Sequence, residues 1–406
     1  MSKWLIALVG SCIHLLLGSV YAWSFFQTPL VESTGWSHSQ VAWAFSLSIF
    51  MLGVAAAWGG FTLPRFGPRV LAVSGGFLYG LGYLLSALAL KNHALWLLYL
   101  GFGVCGGTGL GLAYVTPVAT VSKWFDRFQG VAAGWVVMGF GLGALVMSKA
   151  LAPFFLSLTR QDLSQTFFYL GAVFVILLPL LGLFLQNPVE QAAVSVHARA
   201  LSYRKHLLAR PFVLLWLLFS INIIAGMVFI AFQSPLLQDL LLVQSPDLSK
   251  ASLASQGATL IAFSSVFNGV GRFLWGSISD FLGRTQTFRA LLLVQVVIFI
   301  LLAGVESPLV FFILVCGVLL CYGGGFGVMP SLIKEYYGNH LMPVMYGSIL
   351  TAWSVGGVLG PQLVAWLKDH QGSQAGFFSF LVSGILLSLG FLLSFLLPKE
   401  AASART

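Results

Sequence analysis

Two basic side chains, Lys149 and Arg272, fall inside long apolar stretches of this 406-residue chain, where a charge is costly and rarely idle. A guanidinium stays charged and can hold a carboxylate through two parallel hydrogen bonds, so Arg272 suits anion recognition. At helical spacing it shares a face with Asn268, Ser265 and Ser264, four, seven and eight residues back. Such a polar stripe points away from lipid. Arg272 also lies about 9 Å from the nearer end of its span at 1.5 Å per residue, so snorkelling to the interface is the competing reading. Lys149, about 12 Å from the end of its own span, is expected to snorkel outward. His14 sits halfway along the first apolar run, on one stripe with Tyr21 and Thr28 at steps of seven. A proton-handling role and a hydrogen-bonded structural role are both open to it. Asn222 and Gln233 share a face around Gly226, fit for solute contact or for interhelical hydrogen bonding. No Asp or Glu stands clearly mid-span; Glu32 and Glu335 lie at span ends. The interior is therefore electropositive, which favours an anion and speaks against Na+ coupling.

The elements that must position these groups follow from composition. The chain is 58% hydrophobic and 8% charged, against about 25% charged in soluble domains, so its solvent is largely lipid. Twelve apolar runs approach spanning length: 4–29, 39–63, 70–90, 94–120, 130–157, 164–186, 212–238, 252–278, 287–304, 308–332, 344–367 and 375–397. Lipid offers no partner for exposed backbone groups, so all are expected to be helices, giving an all-α integral membrane protein. An even number puts both termini on one side. With that side inside, fourteen of the 20 Lys and Arg are inside, four are outside (Lys91, Arg160, Lys250, Lys368), and Lys149 and Arg272 are within spans. This bias fits the positive-inside rule and makes the net charge of +9 a topology signal rather than a nucleic-acid footprint. Residues 1–186 and 211–398 are expected to form two six-helix bundles, with 187–210 a basic cytoplasmic linker and 399–406 a cytoplasmic tail.

Several patterns lead away from chemistry. Cys12, Cys105, Cys316 and Cys321 lie in apolar runs without metal spacing and read as buried thiols. The run before Cys12 is too short for a signal-peptide core, and the apolar stretch continues to Phe26, which reads as a retained first helix. Gly139-Phe140-Gly141-Leu142-Gly143 and Gly103-Val104-Cys105-Gly106-Gly107 imitate nucleotide loops but sit inside helices with no preceding strand. Close helix packing explains them. No cofactor, catalytic pair or soluble output domain is expected, which weighs against an enzyme or a sensor.

The two halves repeat. Gly60-Phe61-Thr62-Leu63-Pro64-Arg65-Phe66-Gly67-Pro68-Arg69 after the second span is matched by Gly276-Ser277-Ile278-Ser279-Asp280-Phe281-Leu282-Gly283-Arg284 after the eighth. Pro117 with Trp124-Phe125 is matched by Pro330 with Tyr336-Tyr337, and Gly134 and Gly143 by Gly347 and Gly356. Similar halves suggest two pseudo-symmetric bundles around a central site. The paired loops resemble the signature loop of the major facilitator superfamily, with Pro64 at the position of the first Asp and Phe281 at that of a basic residue. The resemblance implies the major facilitator fold and a cytoplasmic gate at Arg65, Gly67, Arg69, Asp280 and Arg284, the first latch being weakened by Pro64.

A narrower resemblance rests on Gly18-Ser19-Val20-Tyr21-Ala22-Trp23-Ser24, Phe66-Gly67-Pro68-Arg69, Tyr114-Val115-Thr116-Pro117, Lys123-Trp124-Phe125, Asn268-Gly269-Val270-Gly271-Arg272 and Tyr322-Gly323-Gly324-Gly325-Phe326-Gly327. Together, in order, these are similar to the oxalate/formate antiporter family. The resemblance implies that Arg272 binds substrate and that Tyr114 and Tyr322 line the cavity; without it the two tyrosines read as packing residues. Oxalate-carrying members have a Lys where this chain has Trp353, after Thr351-Ala352. One cation of a pair is absent, which implies a monoanion such as a monocarboxylate. The expectation is a monomeric secondary transporter of small organic anions in a bacterial inner membrane, with Arg272, Asn268, Tyr21, Tyr114, Tyr322, Trp353, Asn222 and Gln233 about the substrate and His14 a candidate for proton coupling. The aromatic lining also leaves open an exporter of larger amphipathic compounds.

Overall fold

The computed structural model of the protein describes residues 2–125, 129–188 and 202–398. Most of the expected linker (189–201) and the expected tail (399–406) lie outside the described residues. The described chain is helical, with no β-strand. Ten stretches are long and apolar enough to cross a membrane. They are α1 (Lys3–Thr34), a 53-residue stretch Ser39–Lys91, α4 (Leu95–Val121), α5 (Gly130–Leu158), α6 (Leu163–Gly182), α7 (Arg210–Gln244), α9 (Arg284–Ala303), α10 (Pro308–Gly338), α11 (Leu341–Lys368) and α12 (Ala375–Leu396). The 53-residue stretch is two helices, α2 (39–66) and α3 (68–91), broken where Gly67 takes φ +78°. The twelfth, α8 (Lys250–Leu282), has 33 residues and spans about 50 Å at 1.5 Å per residue. It misses the apolar count because Ser264, Ser265, Asn268 and Arg272 all lie on it. The expected twelve helices are therefore present, several running past their expected ends.

The internal repeat appears in backbone geometry. Gly67 and Gly283, equivalent positions of the two loops, both take positive φ (78° and 85°) and turn the chain between the second and third helices of their halves. Only glycine adopts that conformation at no steric cost. Both ends of the described chain, Ser2 and Pro398, lie at one face, called here the terminal face. Trp4 packs on Phe125, Lys334 reaches the carbonyl of Phe125, and Tyr336 donates to the carbonyl of Pro398.

Helices α1–α6 and α7–α12 meet along two seams of near backbone contact. A Cβ on Gly130 would fall 2.1 Å from the Gly276 carbonyl oxygen, and one on Gly141 would fall 2.4 Å from the Gly269 Cα, so α5 and α8 touch from the terminal face to mid-depth. Across the other seam, a Cβ on Gly60 would fall 2.3 Å from the Pro343 carbonyl oxygen and one on Gly53 2.5 Å from that of Leu350, joining α2 to α11. The Gly139–Gly143 string is packing glycine, as its sequence context implies: Gly139 and Gly143 meet α1 while Gly141 meets α8. On the α8 side, the Ser265 hydroxyl donates to the Gly141 carbonyl at 2.7 Å and accepts from the Leu145 amide at 2.9 Å. A hydroxyl from one bundle thus bridges a helical turn of the other, just before α5 widens to a π turn at Met147–Leu151.

Gly141→Ala should force α5 from α8 and cost about 1–3 kcal/mol, the usual penalty of overpacking. Gly304→Ala, with nothing within 4 Å, should be neutral. Thermal denaturation of the purified variants compares them directly.

Candidate functional site

Arg272 is fully buried, which excludes snorkelling. Its side chain lies in the seam between the bundles, where three kinds of contact hold it. Nε donates to Asn268 Oδ1 and Nη1 to the Tyr114 hydroxyl, each at 3.3 Å. The guanidinium carbon stands 5.1 Å from the Phe140 ring centre and 4.7 Å from that of Phe326, between two aromatic faces. Nη2 is buried and has no hydrogen-bond partner. Among the described residues no Asp or Glu is buried, so no carboxylate balances the charge.

Around the guanidinium the two bundles contribute alternately. Tyr21 from α1 and Tyr322 from α10 join hydroxyl to hydroxyl. Tyr21 is placed by a tight 3₁₀ stretch, Gly18–Ala22, possible because Gly18 lets α1 rest on the Phe140 backbone; a Cβ there would fall 2.0 Å from the Phe140 carbonyl oxygen. Trp353 from α11 is fully buried, with ring centres 4.4 Å from Phe326, 5.0 Å from Tyr114 and 5.5 Å from Phe140. Its indole nitrogen and the nearby Tyr346 hydroxyl complete no hydrogen bond. The remaining expected residues spread out. Gln233 accepts from the Ser264 hydroxyl at 2.7 Å, and both line a crevice with Tyr21 and Asn268. Asn222 lies against Gly325 with both amide atoms unpartnered. Eleven residues put it about 16 Å along α7 from Gln233, so the two do not meet in one small site. His14 lies within the first bundle, stacked on Tyr114 at 4.6 Å. Lys149 is exposed and donates to Thr259 across the α5–α8 seam.

The crevice has no room for a water molecule. Toward the face opposite the termini, however, it adjoins a vestibule of about 850 Å³. Ile261 belongs to both walls, and Ser24, Thr28, Ser234, Gln238 and the cross-bundle pair Lys250–Glu32 (3.1 Å) line the vestibule.

The terminal face is shut. Asp280 accepts from the amides of Gly130 and Val131, both at 3.2 Å, so a carboxylate of the second bundle caps the N-terminus of α5 in the first. Arg284 steadies it at 3.4 Å and also pairs with Glu335 at 2.8 Å. Lys334 donates to the carbonyls of Ser122 and Phe125 just past α4, the complementary arrangement at a helix C-terminus. Of the five residues expected at the gate, Arg65 and Arg69 stay on their own bundle: Arg65 lies over Phe66, and Arg69 donates to Gln186. Gly67 only turns the chain. With Pro64 in place of a carboxylate, the first copy of the loop has nothing to offer the N-terminus of a facing helix.

Sequence reasoning missed three contributors. Phe140 sits in a string dismissed as packing glycine; the large residue kept among small ones was its signal. Lys334 looked like one more basic residue on the positive side. Tyr346 carried no pattern at all.

A buried cation in the seam between two repeated helix bundles, closed at one face and approached by a vestibule from the other, defines a membrane carrier. The family model described as Major Facilitator Superfamily matches residues 7–361 and, overlapping, 238–406, and the chain belongs to that family. It is a multi-pass membrane transporter and not an enzyme. The chain is similar to an oxalate:formate antiporter of Oxalobacter formigenes, 24% identical over 98% of this chain and 92% of that one. It is also similar to human monocarboxylate transporter 11, 26% identical over 98% of this chain and 84% of that one. Its fold is like that of the E. coli fucose:proton symporter, with a TM-score of 0.68 at 14% identity over 98% of this chain and all of that one.

Asp280→Ala removes the cap on α5 and should cost about 1 kcal/mol. Arg65→Ala and Arg69→Ala should stay within about 0.5 kcal/mol of the parent, as surface changes do. Equal melting temperatures for all three would show that the cap adds nothing.

Proposed function

We propose that the protein is a secondary active transporter of small organic anions, with a monocarboxylate as its substrate, working by alternating access as an exchanger or a proton symporter. The observation that carries this reading is the buried Arg272 with one unpartnered nitrogen and, among the described residues, no buried carboxylate beside it. A carboxylate can take Nη2 and share Nη1, gaining the geometry that arginine favours. Trp353 fills the volume where a second cation would hold a second carboxylate, which favours a monoanion. The relatives, an oxalate:formate antiporter and a monocarboxylate transporter, support the same class.

In this reading Tyr21, Tyr114, Tyr322 and Asn268 orient the anion, Gln233 and Asn222 serve the approach on either side, and rocking of 1–186 against 211–398 opens one face at a time. The terminal face is cytoplasmic and the vestibule faces outward, with the chain as a monomer in a bacterial inner membrane. The charge distribution supports that orientation.

Thermal stabilisation by formate, lactate, pyruvate, oxalate and succinate tests the reading. A ligand of the folded state at a hundred times its Kd adds about 2.7 kcal/mol. A monocarboxylate should raise the melting temperature of the parent but not of Arg272→Gln. Stabilisation by oxalate alone would contradict the role given to Trp353. No response to any anion, alongside a response to amphipathic compounds, would replace the reading with an exporter. Trp353→Lys should lower the melting temperature of the free protein, because it buries an unpaired cation. Oxalate should restore that protein more than formate does.

A further inference from the structure

His14 makes contacts that one protonation state alone can satisfy in full. Its ring is completely buried in the first bundle, with Nδ1 3.0 Å from the carbonyl oxygen of Val136 on α5 and Nε2 3.0 Å from that of Tyr114 on α4. A neutral imidazole has a single N–H. Whichever nitrogen lacks the hydrogen sets a lone pair against a carbonyl lone pair. The imidazolium donates to both oxygens.

Its position ties it to the anion site. The ring stacks on Tyr114 (4.6 Å, 18°), and the hydroxyl of that tyrosine accepts from Arg272 Nη1. Both groups flank Phe140, the His14 ring centre 6.2 Å and the guanidinium carbon 5.1 Å from its centre. The neighbouring titratable groups are few. On α1 there are Cys12 and Tyr21. Tyr114 lies on α4, the exposed Tyr169 on α6, and Arg272 comes from α8; residues 130–146 of α5 contain none. None is a carboxylate that could balance an imidazolium. Two positive charges in this core therefore oppose each other until an anion joins them.

We propose that His14 binds the proton that travels with the anion, one proton per carboxylate, so that the pair crosses the membrane without net charge. The inference rests on the anion reading above and makes the carrier a symporter. When the site is open to one face, a proton from water forms an N–H bond on His14 and an anion pairs with Arg272. When it is open to the other face, the anion leaves, that N–H bond breaks, the proton returns to water, and His14 is again neutral. The coupling is reciprocal: each ligand raises the affinity for the other by the same factor. Because the anion-bound form holds one more proton than the free form, anion binding weakens as pH rises, by up to about tenfold per unit.

The test is calorimetry of pyruvate binding to the full-length protein in buffers of different ionisation enthalpy, which counts protons taken up per anion. Pyruvate is fully ionised between about pH 6 and 8, since carboxyl groups titrate near 4, so any proton gained goes to the protein. The parent should take up close to one proton per pyruvate. His14→Gln should bind pyruvate with no proton uptake and little pH dependence. In proteoliposomes His14→Gln should keep pyruvate counterflow yet lose accumulation driven by an acid-outside pH gradient. Proton uptake undiminished in His14→Gln overturns the proposal, as does pyruvate binding to the parent with no proton gained; in that second case the anion site stands and only the proton site falls. If His14→Gln does not fold, the proton count of the parent decides. If formate, lactate and pyruvate all fail to bind the parent, the proton site falls together with the anion reading.

Discussion

A guanidinium that cannot give up its charge, buried in the seam between two bundles with no carboxylate of the described residues beside it, governs the rest of this structure. Placing a guanidinium inside a membrane-spanning helix costs a few kcal/mol on insertion scales. The offsets come from different helices: two aromatic faces (Phe140 and Phe326), a phenol (Tyr114) and an amide (Asn268). The glycines of α5 serve this purpose. Gly134 and Gly141 bring the α5 backbone onto α8 beside Arg272, and Phe140 can then reach over the guanidinium. Tyr114, Trp353 and Phe140 pack edge to face, so the dry wall around the charge is also a well-packed core. One nitrogen, Nη2, remains without a partner.

The architecture was legible because lipid imposes it. Apolar runs of spanning length, the bias of basic residues and the doubled loop lead to twelve helices in two halves without any knowledge of side-chain contacts. The polar stripe of α8 was legible for the same reason, since Ser264, Ser265, Asn268 and Arg272 recur at helical spacing. Distance from a helix end left Arg272 poised between core and interface. What decides is the neighbour: α5 lies so close to α8 that the side chain is enclosed. No sequence period encodes that approach. Asn222 and Gln233 illustrate the opposite limit, since sharing a helical face does not bring residues to one depth.

The closed face also depends on which bundle provides each group. Asp280 and Lys334, both from the second bundle, meet respectively the N-terminal and C-terminal ends of helices in the first. Pro64 announces this one-sidedness in the sequence, but only the structure reveals that Lys334 adds a second contact of opposite sign. At the opposite face the contacts between bundles include the exposed pair Lys250–Glu32, which salt screens readily. The two faces of the carrier therefore differ in their physics: charge-to-dipole contacts close one, and a solvated ion pair crosses beside the vestibule at the other.

The polarity of α8 also bears on how the protein is made. A translocating segment partitions into the bilayer by its own apolar content, and the hydroxyls, amide and guanidinium of α8 count against it. Its neighbour α7, by contrast, is among the most apolar segments of the chain. Biogenesis of the second half must then be cooperative, with α7 sheltering α8 until α10 and the first bundle cover the stripe. The helix that carries the buried guanidinium is the one least able to enter the membrane alone, so any change to its polar stripe is also a change to assembly.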